Sequence, residues 1–247
     1  MTDRKILLIH PKDKTTAFLD RIKNHIIQRF EDEVHQFNIH PNDDSHNVCL
    51  QRIKDHSEEG LIIFMGHGHI DSLSGSKGDL YDNKDLVSAE AILETPEKYY
   101  YKDIFIGQDN ADVFRGKKIF CLACNSNNKI ADYALEKGAK AFYGFGNIPT
   151  SEGEFKQDGL RNVSNDIVKA MKTELNAVIK KALEHGISNN YSFMELMSIT
   201  HFMLNQRIAY LLREEKHLNE KHLLADYLYS LKKEMKILGN KKLKLLE

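Results

Sequence analysis

Short apolar runs, each too brief and too continuous to be one face of a helix, punctuate the first 155 residues at regular intervals. Residues 5–10, 61–65, 117–123 and 139–145 are such runs, and a run of this length without helical period reads as a buried strand. Residues 33–39 alternate apolar and polar and add a second strand before Pro41. Helical spacing fills the gaps. Phe18, Ile22, Ile26 and Ile27 follow Pro11, with Thr15 or Thr16 as cap, and Val48, Leu50 and Ile53 follow Asp43, Asp44 or Ser45. Residues 127–137 form a further helix closed by Gly138. This βαβαβ rhythm predicts an α/β fold, a mostly parallel sheet flanked by helices, over residues 1–155.

The rhythm breaks at 70–116, a stretch rich in Asp, Gly and Ser, and a long irregular insertion in a compact domain is more often functional than idle. From about residue 154 the pattern is helical. Its stripes are Leu160, Val163, Ile167, Met171; then Phe193, Leu196, Met197, Met203, Leu204, Leu211; then Leu224, Tyr227, Leu228, Leu231, Met235, Leu238. Residues 156–247 are therefore expected to pack on the core or to bind a partner. The basic stretch 232–244 is able to touch an acidic partner. Lys plus Arg (35) nearly balances Asp plus Glu (36), so no bulk field recruits nucleic acid. No apolar run approaches the ~20 residues that span a bilayer, and no signal-peptide core follows the charged start. A soluble, cytoplasmic protein is expected, and three cysteines make no disulfide framework.

Two strand ends carry the chemistry. One run stops at Gly66-His67-Gly68 and another at Leu122-Ala123-Cys124-Asn125-Ser126. Past the carboxyl ends of parallel strands is where an open α/β sheet gathers its ligands. A thiol hydrolase needs a nucleophilic sulfur, a base and oxyanion donors. Cys124, just before a helix whose N-terminal dipole lowers a thiol pKa, suits the first role. His67 suits the second, and the backbone N–H groups of Gly68 and Cys124 the third.

The order of strand–His-Gly, insertion, strand–Ala-Cys-Asn-Ser, helix, Gly138-Ala-Lys-Ala141 and Tyr143-Gly144 resembles the caspase-like (clan CD) cysteine peptidases, most of all the CHAT group, over residues 5–155. The resemblance implies His67 as general base, Cys124 as nucleophile, no cofactor or catalytic metal, and no obligatory third triad member. It also implies a protein substrate, an activating protein or ligand acting through the helical region, and an effector role in bacterial antiviral defence or regulated cell death. The position two before the nucleophile often lines the P1 pocket of these enzymes. Here it is Leu122, which disfavours strict Arg or Lys specificity, although Asp71 or Asp79 can supply charge. Asp71 equally fits a loop cap. Residues 146–152, Asn147 among them, are expected to border the substrate cleft, and 70–116 to supply a gating loop.

Other chemistries fit less well. His67, His69, Cys121 and Cys124 include a C-x-x-C pair able to hold zinc, but strand alternation buries Cys121, and the zinc-deaminase pattern needs a Glu where His69 stands and a Pro where Phe120 stands. A thioredoxin-like pair needs both cysteines in a helix's first turn. A binding module or an inactive peptidase scaffold is the non-enzymatic alternative.

Overall fold

The computed structural model describes residues 5–149, 154, 163–214 and 220–246. Six strands form one sheet in the order β2-β1-β3-β4-β5-β6. They are β1 (Ile6–Pro11), β2 (Val34–Ile39), β3 (Leu61–Met65), β4 (Lys118–Leu122), β5 (Ala141–Gly144) and β6 (Lys236–Gly239). The first five are parallel, and β6 runs antiparallel to β5. The helices are α1 (Asp20–Arg29), α2 (Asp43–Asp55), α3 (Ala89–Glu94), α4 (Lys129–Glu136), α5 (Asn165–Ser188), α6 (Phe193–Arg213) and α7 (Lys221–Glu234).

The central strands are buried on both faces, which is why they read as continuous apolar runs rather than alternating ones. Their alternation sorts two cores. Ile6, Leu8, Leu61, Ile63, Met65, Phe120, Leu122, Ala141 and Tyr143 pack beneath α1 and α5–α7. Leu7, Ile9, Ile62, Phe64, Ile119, Cys121 and Phe142 pack against residues of α2 and α4 and against Leu73, Phe105, Ile106, Val113 and Phe114. Strand order explains the division. The step from β1 to β2 runs one way across the sheet and the steps β2 to β3 and β4 to β5 run the other, so crossovers of one hand place α1 opposite α2 and α4. That leaves the α1 face bare over β3–β5, and α5–α7 cover it.

Three local expectations are corrected. The first helix is capped by neither threonine: Asp13 caps a 3₁₀ turn over Lys14–Leu19, and α1 starts only at Asp20. Asn42, one residue before the expected acidic caps, caps α2 through its Ser45 N–H bond of 2.8 Å. The third helical stripe stops at Glu234, because Lys236–Gly239 pairs with Ala141–Gly144 as the edge strand. The C-terminal third thus adds a strand to the sheet and shares its core. Leu160 and residues 150–152 lie outside the described residues. Within the insertion, Leu73 and Ile106 pair in an isolated bridge and are fully buried, anchoring its two ends under the sheet. Among the described residues no helix is long and apolar enough to cross a membrane.

Candidate active site

The chain leaves β1 towards β2 on one side and returns past it to β3, so the carboxyl ends of β1 and β3 flank the point where strand order reverses. That is where an open α/β sheet opens a crevice. Here the crevice is a cleft of about 510 Å³, lined among others by Asp13, Thr15, His67, Gly68 and Cys124. Met65 is level with Leu122 in the β3–β4 register, and Gly66 N–H continues the ladder to Leu122 O at 3.2 Å. Two residues further along each strand stand His67 and Cys124. Cys124 packs on the same core as Met65 and Leu122. Cys121 faces the opposite core.

A short antiparallel return holds His67. Ser74 N–H donates to the His67 carbonyl at 3.1 Å, His69 N–H donates to Ser72 O at 2.8 Å, and Gly68 pairs with Leu73. In that pairing the Gly68 N–H donates to none of the described residues. Gly68 itself is needed: a Cβ there would lie 2.5 Å from Cys124 O and 2.9 Å from the Ala123 Cβ.

Two side chains from the turn after β1 meet the His67 ring. Nε2 lies 2.6 Å from Thr15 Oγ1 and 3.4 Å from Asp13 Oδ2. Asp13 is only 8% exposed. Burial alone would raise its pKa, but hydrogen bonds from His67 and from the Thr15 hydroxyl and N–H outweigh it and hold the carboxyl at about 2.

Cys124 sits on a turn pinned from behind. Its Sγ donates to Ile148 O at 3.4 Å. Asn125 takes a left-handed φ of 53° and its N–H donates to Gly146 O at 2.9 Å. Buried Ser126 donates from Oγ to Cys121 O and accepts from Phe145 N–H, both at 2.9 Å. Asn127 Nδ2 reaches Glu234 O at 2.6 Å. Because Ser126 and Asn127 bond to the end of β5 and to α7, the chain cannot enter a helix directly. α4 begins at Lys129 without a side-chain cap. The expected helix start at Asn127 thus moves to Lys129, and Cys124 stands farther from the helix N-terminus than expected.

The remaining expected residues scatter. Asn147 lines the cleft, and its N–H donates to Glu234 Oε2 at 3.0 Å. Leu122 is buried and walls a small apolar notch of about 20 Å³ beside His67 and Cys124, with Phe18, Ile148 and Leu175. Asp71 lines a separate depression with His46 and Lys102. Asp79 pairs with Lys12 and Lys14 at 3.9 and 3.7 Å. His69 stands on the cleft rim, 3.4 Å from Asp103. Burial pushes the Cys49 thiol up to about 12 and the Cys121 thiol strongly up. Among the described residues no cluster of three or more His, Cys, Asp or Glu side chains is arranged to hold a metal. Sequence reasoning missed Asp13 and Thr15. Their signal was an Asp-x-Thr directly after the first strand, which reads locally as a turn cap. Comparison with protein-family models, curated proteins and solved structures gives no significant match.

Proposed function

We propose that the protein is a caspase-like cysteine endopeptidase. One observation carries this reading: just past the carboxyl ends of the paired strands β3 and β4, His67 and Cys124 line one cleft. Cys124 gives its proton to His67 while Sγ bonds to the scissile carbonyl carbon. The Gly68 and Cys124 N–H groups receive the oxyanion. Collapse breaks the C–N bond, the leaving amine takes the proton from His67, and an acyl-enzyme remains. A water deprotonated by His67 then attacks the thioester, releasing the acid and restoring the thiol. The Cys124 thiol donates to the Ile148 carbonyl at 3.4 Å, a weak contact that is given up as Sγ turns to the substrate. A defence or cell-death setting, and an activating partner, follow from the sequence resemblance alone.

Thiol labelling together with a peptide-library cleavage assay tests the proposal. Cys124 is expected to label far faster than Cys49 and Cys121, whose thiols are buried and have raised pKa values. Cleavage should fall at least ~10³-fold in Cys124→Ala, the order expected for loss of a nucleophile that acts as a unit with its base. Equal, sluggish labelling of all three cysteines, or cleavage that survives Cys124→Ala, removes the proposal.

A further inference from the structure

We propose that Asp13 and Thr15 are positioning residues that hold the His67 ring with its proton on Nε2, leaving Nδ1 as the atom that takes the Cys124 proton. The inference rests on the peptidase reading above and adds to it the tautomer of the base and the groups that set it.

The two oxygens of Asp13 have different tasks. Oδ1 builds the turn, accepting from Thr15 N–H and from the Thr15 hydroxyl, both at 2.7 Å. Oδ2 is the oxygen that faces His67, at 3.4 Å. A carboxylate this buried requires a partner, and the imidazole supplies it. Proton positions follow from donor counting. The Thr15 hydroxyl has one proton, and the Asp13 carboxylate, being ionised, can only accept it. The 2.6 Å contact between Thr15 Oγ1 and His67 Nε2 is therefore made by an Nε2–H donating to the hydroxyl oxygen. When His67 takes up the thiol proton on Nδ1 it becomes an imidazolium, and the adjacent carboxylate stabilises that charge without being protonated itself. The other charged groups facing the cleft are Lys14 on the same turn, His69 and Lys77 on the insertion, and Glu154 and Lys172 from the C-terminal part. Asp13 is the only carboxylate whose ion-pair contact with the His67 ring is seen among the described residues.

The test uses the full chain and iodoacetamide, with the rate of Cys124 alkylation followed against pH in wild type, Asp13→Asn and Thr15→Val. Asp13→Asn keeps an oxygen for the turn and replaces the charged acceptor facing His67 by a neutral NH₂ donor. It is expected to slow Cys124 labelling near neutral pH about tenfold or more, the order of one lost charge interaction beside the base. The profile should also shift upward towards an ordinary thiol. Thr15→Val should produce a smaller loss in the same direction. A two-bond ¹H–¹⁵N spectrum of the wild-type imidazoles provides a readout independent of how any variant folds, and His67 should be protonated at Nε2 when neutral. A folded Asp13→Asn protein with an unchanged profile, or a neutral His67 protonated at Nδ1, overturns the inference while a reactive wild-type Cys124 leaves the peptidase reading standing. A wild-type Cys124 no more reactive than a free thiol overturns both.

Discussion

Two histidines in this protein sit among the same kinds of neighbours, a carboxylate and a hydroxyl, yet one opens onto a cleft and the other closes a seam. His46, near the start of α2, is 1% exposed. Its Nδ1–H donates to Asn42 O at 2.6 Å, and its Nε2 accepts from Ser76 N–H at 3.1 Å. Tyr100 and Lys102 reach over it to Asp43 at 2.8 and 3.0 Å, and Phe105 meets its ring edge-on. Backbone groups consume both ring nitrogens, so the ring joins α2 to the insertion and has no valence left for chemistry. His67 has its two polar side-chain contacts on one nitrogen, and 29% of its side chain remains exposed. What distinguishes a candidate base from a structural ring is thus not the residue types nearby but which nitrogen they occupy, and whether they are backbone or side chain.

The widest separation should come from removing each ring in turn. His67→Ala is expected to lower turnover ~10³-fold or more, at the upper part of the range for a general base, with a stability loss of about 1–3 kcal/mol because buried Asp13 Oδ2 loses its partner. In His46→Ala the loss should fall on stability alone. It leaves the Ser76 N–H without its partner, removes the shorter of the two bonds to Asn42 O and opens a void, a loss of about 2–4 kcal/mol. Activity per folded molecule should remain within a few-fold. Parallel measurements of kcat/KM and urea midpoints decide the matter, and a His46→Ala protein that is stable but inactive would erase the contrast.

Gly68→Ala sharpens the cleft side of the comparison. The new methyl would meet the Cys124 carbonyl oxygen at 2.5 Å, and that atom is backbone and cannot swing away. Either strand end must shift, moving the proposed oxyanion donor. The expected loss is on the order of 10² in kcat, comparable with removing one such donor, with about 1–3 kcal/mol of destabilisation from overpacking. Steady-state kinetics on the folded variant check this, and near wild-type kcat would place the oxyanion donors elsewhere.

The same contrast explains what the sequence made legible. The parallel strands announced themselves because burial on both faces demands unbroken apolar runs, and the two strand ends followed from them. The edge strand did not. Leu228, Leu231, Met235 and Leu238 keep helical spacing through the point where the helix ends, and only pairing with Ala141–Gly144 makes Lys236–Gly239 a strand. Asp13 was hidden because its partner lies 54 positions away and its local pattern is already satisfied by a turn. His46 and His67 were equally indistinct in sequence, since Ser76 and Thr15, which separate their roles, are brought to them only by the fold.

The smallest predicted effect is also the one that isolates the structural ring. Burial, the largest influence, lowers the His46 pKa below 6.5. The Asn42 carbonyl opposes that shift and Lys102 adds to it. The His10 pKa is lowered too, chiefly by burial against its Met65 hydrogen bond. As pH falls below 6.5 the unfolded chain takes up protons on these rings before the folded chain does. Stability is therefore flat above 6.5 and declines below it, by at most about 1.4 kcal/mol per pH unit for each ring. Asp13 contributes in the same sense but in a lower window: its stabilisation is complete above its unfolded value of 3.8 and disappears only as pH nears 2. Between pH 6.5 and 5 the slope thus belongs to the His46 and His10 rings and to His201, whose pKa burial also lowers. Urea midpoints across that interval should fall in wild type and fall less steeply in His46→Gln. Identical slopes in the two proteins would mean that His46 is not held neutral by its backbone partners, and the assignment of a purely structural ring would fail.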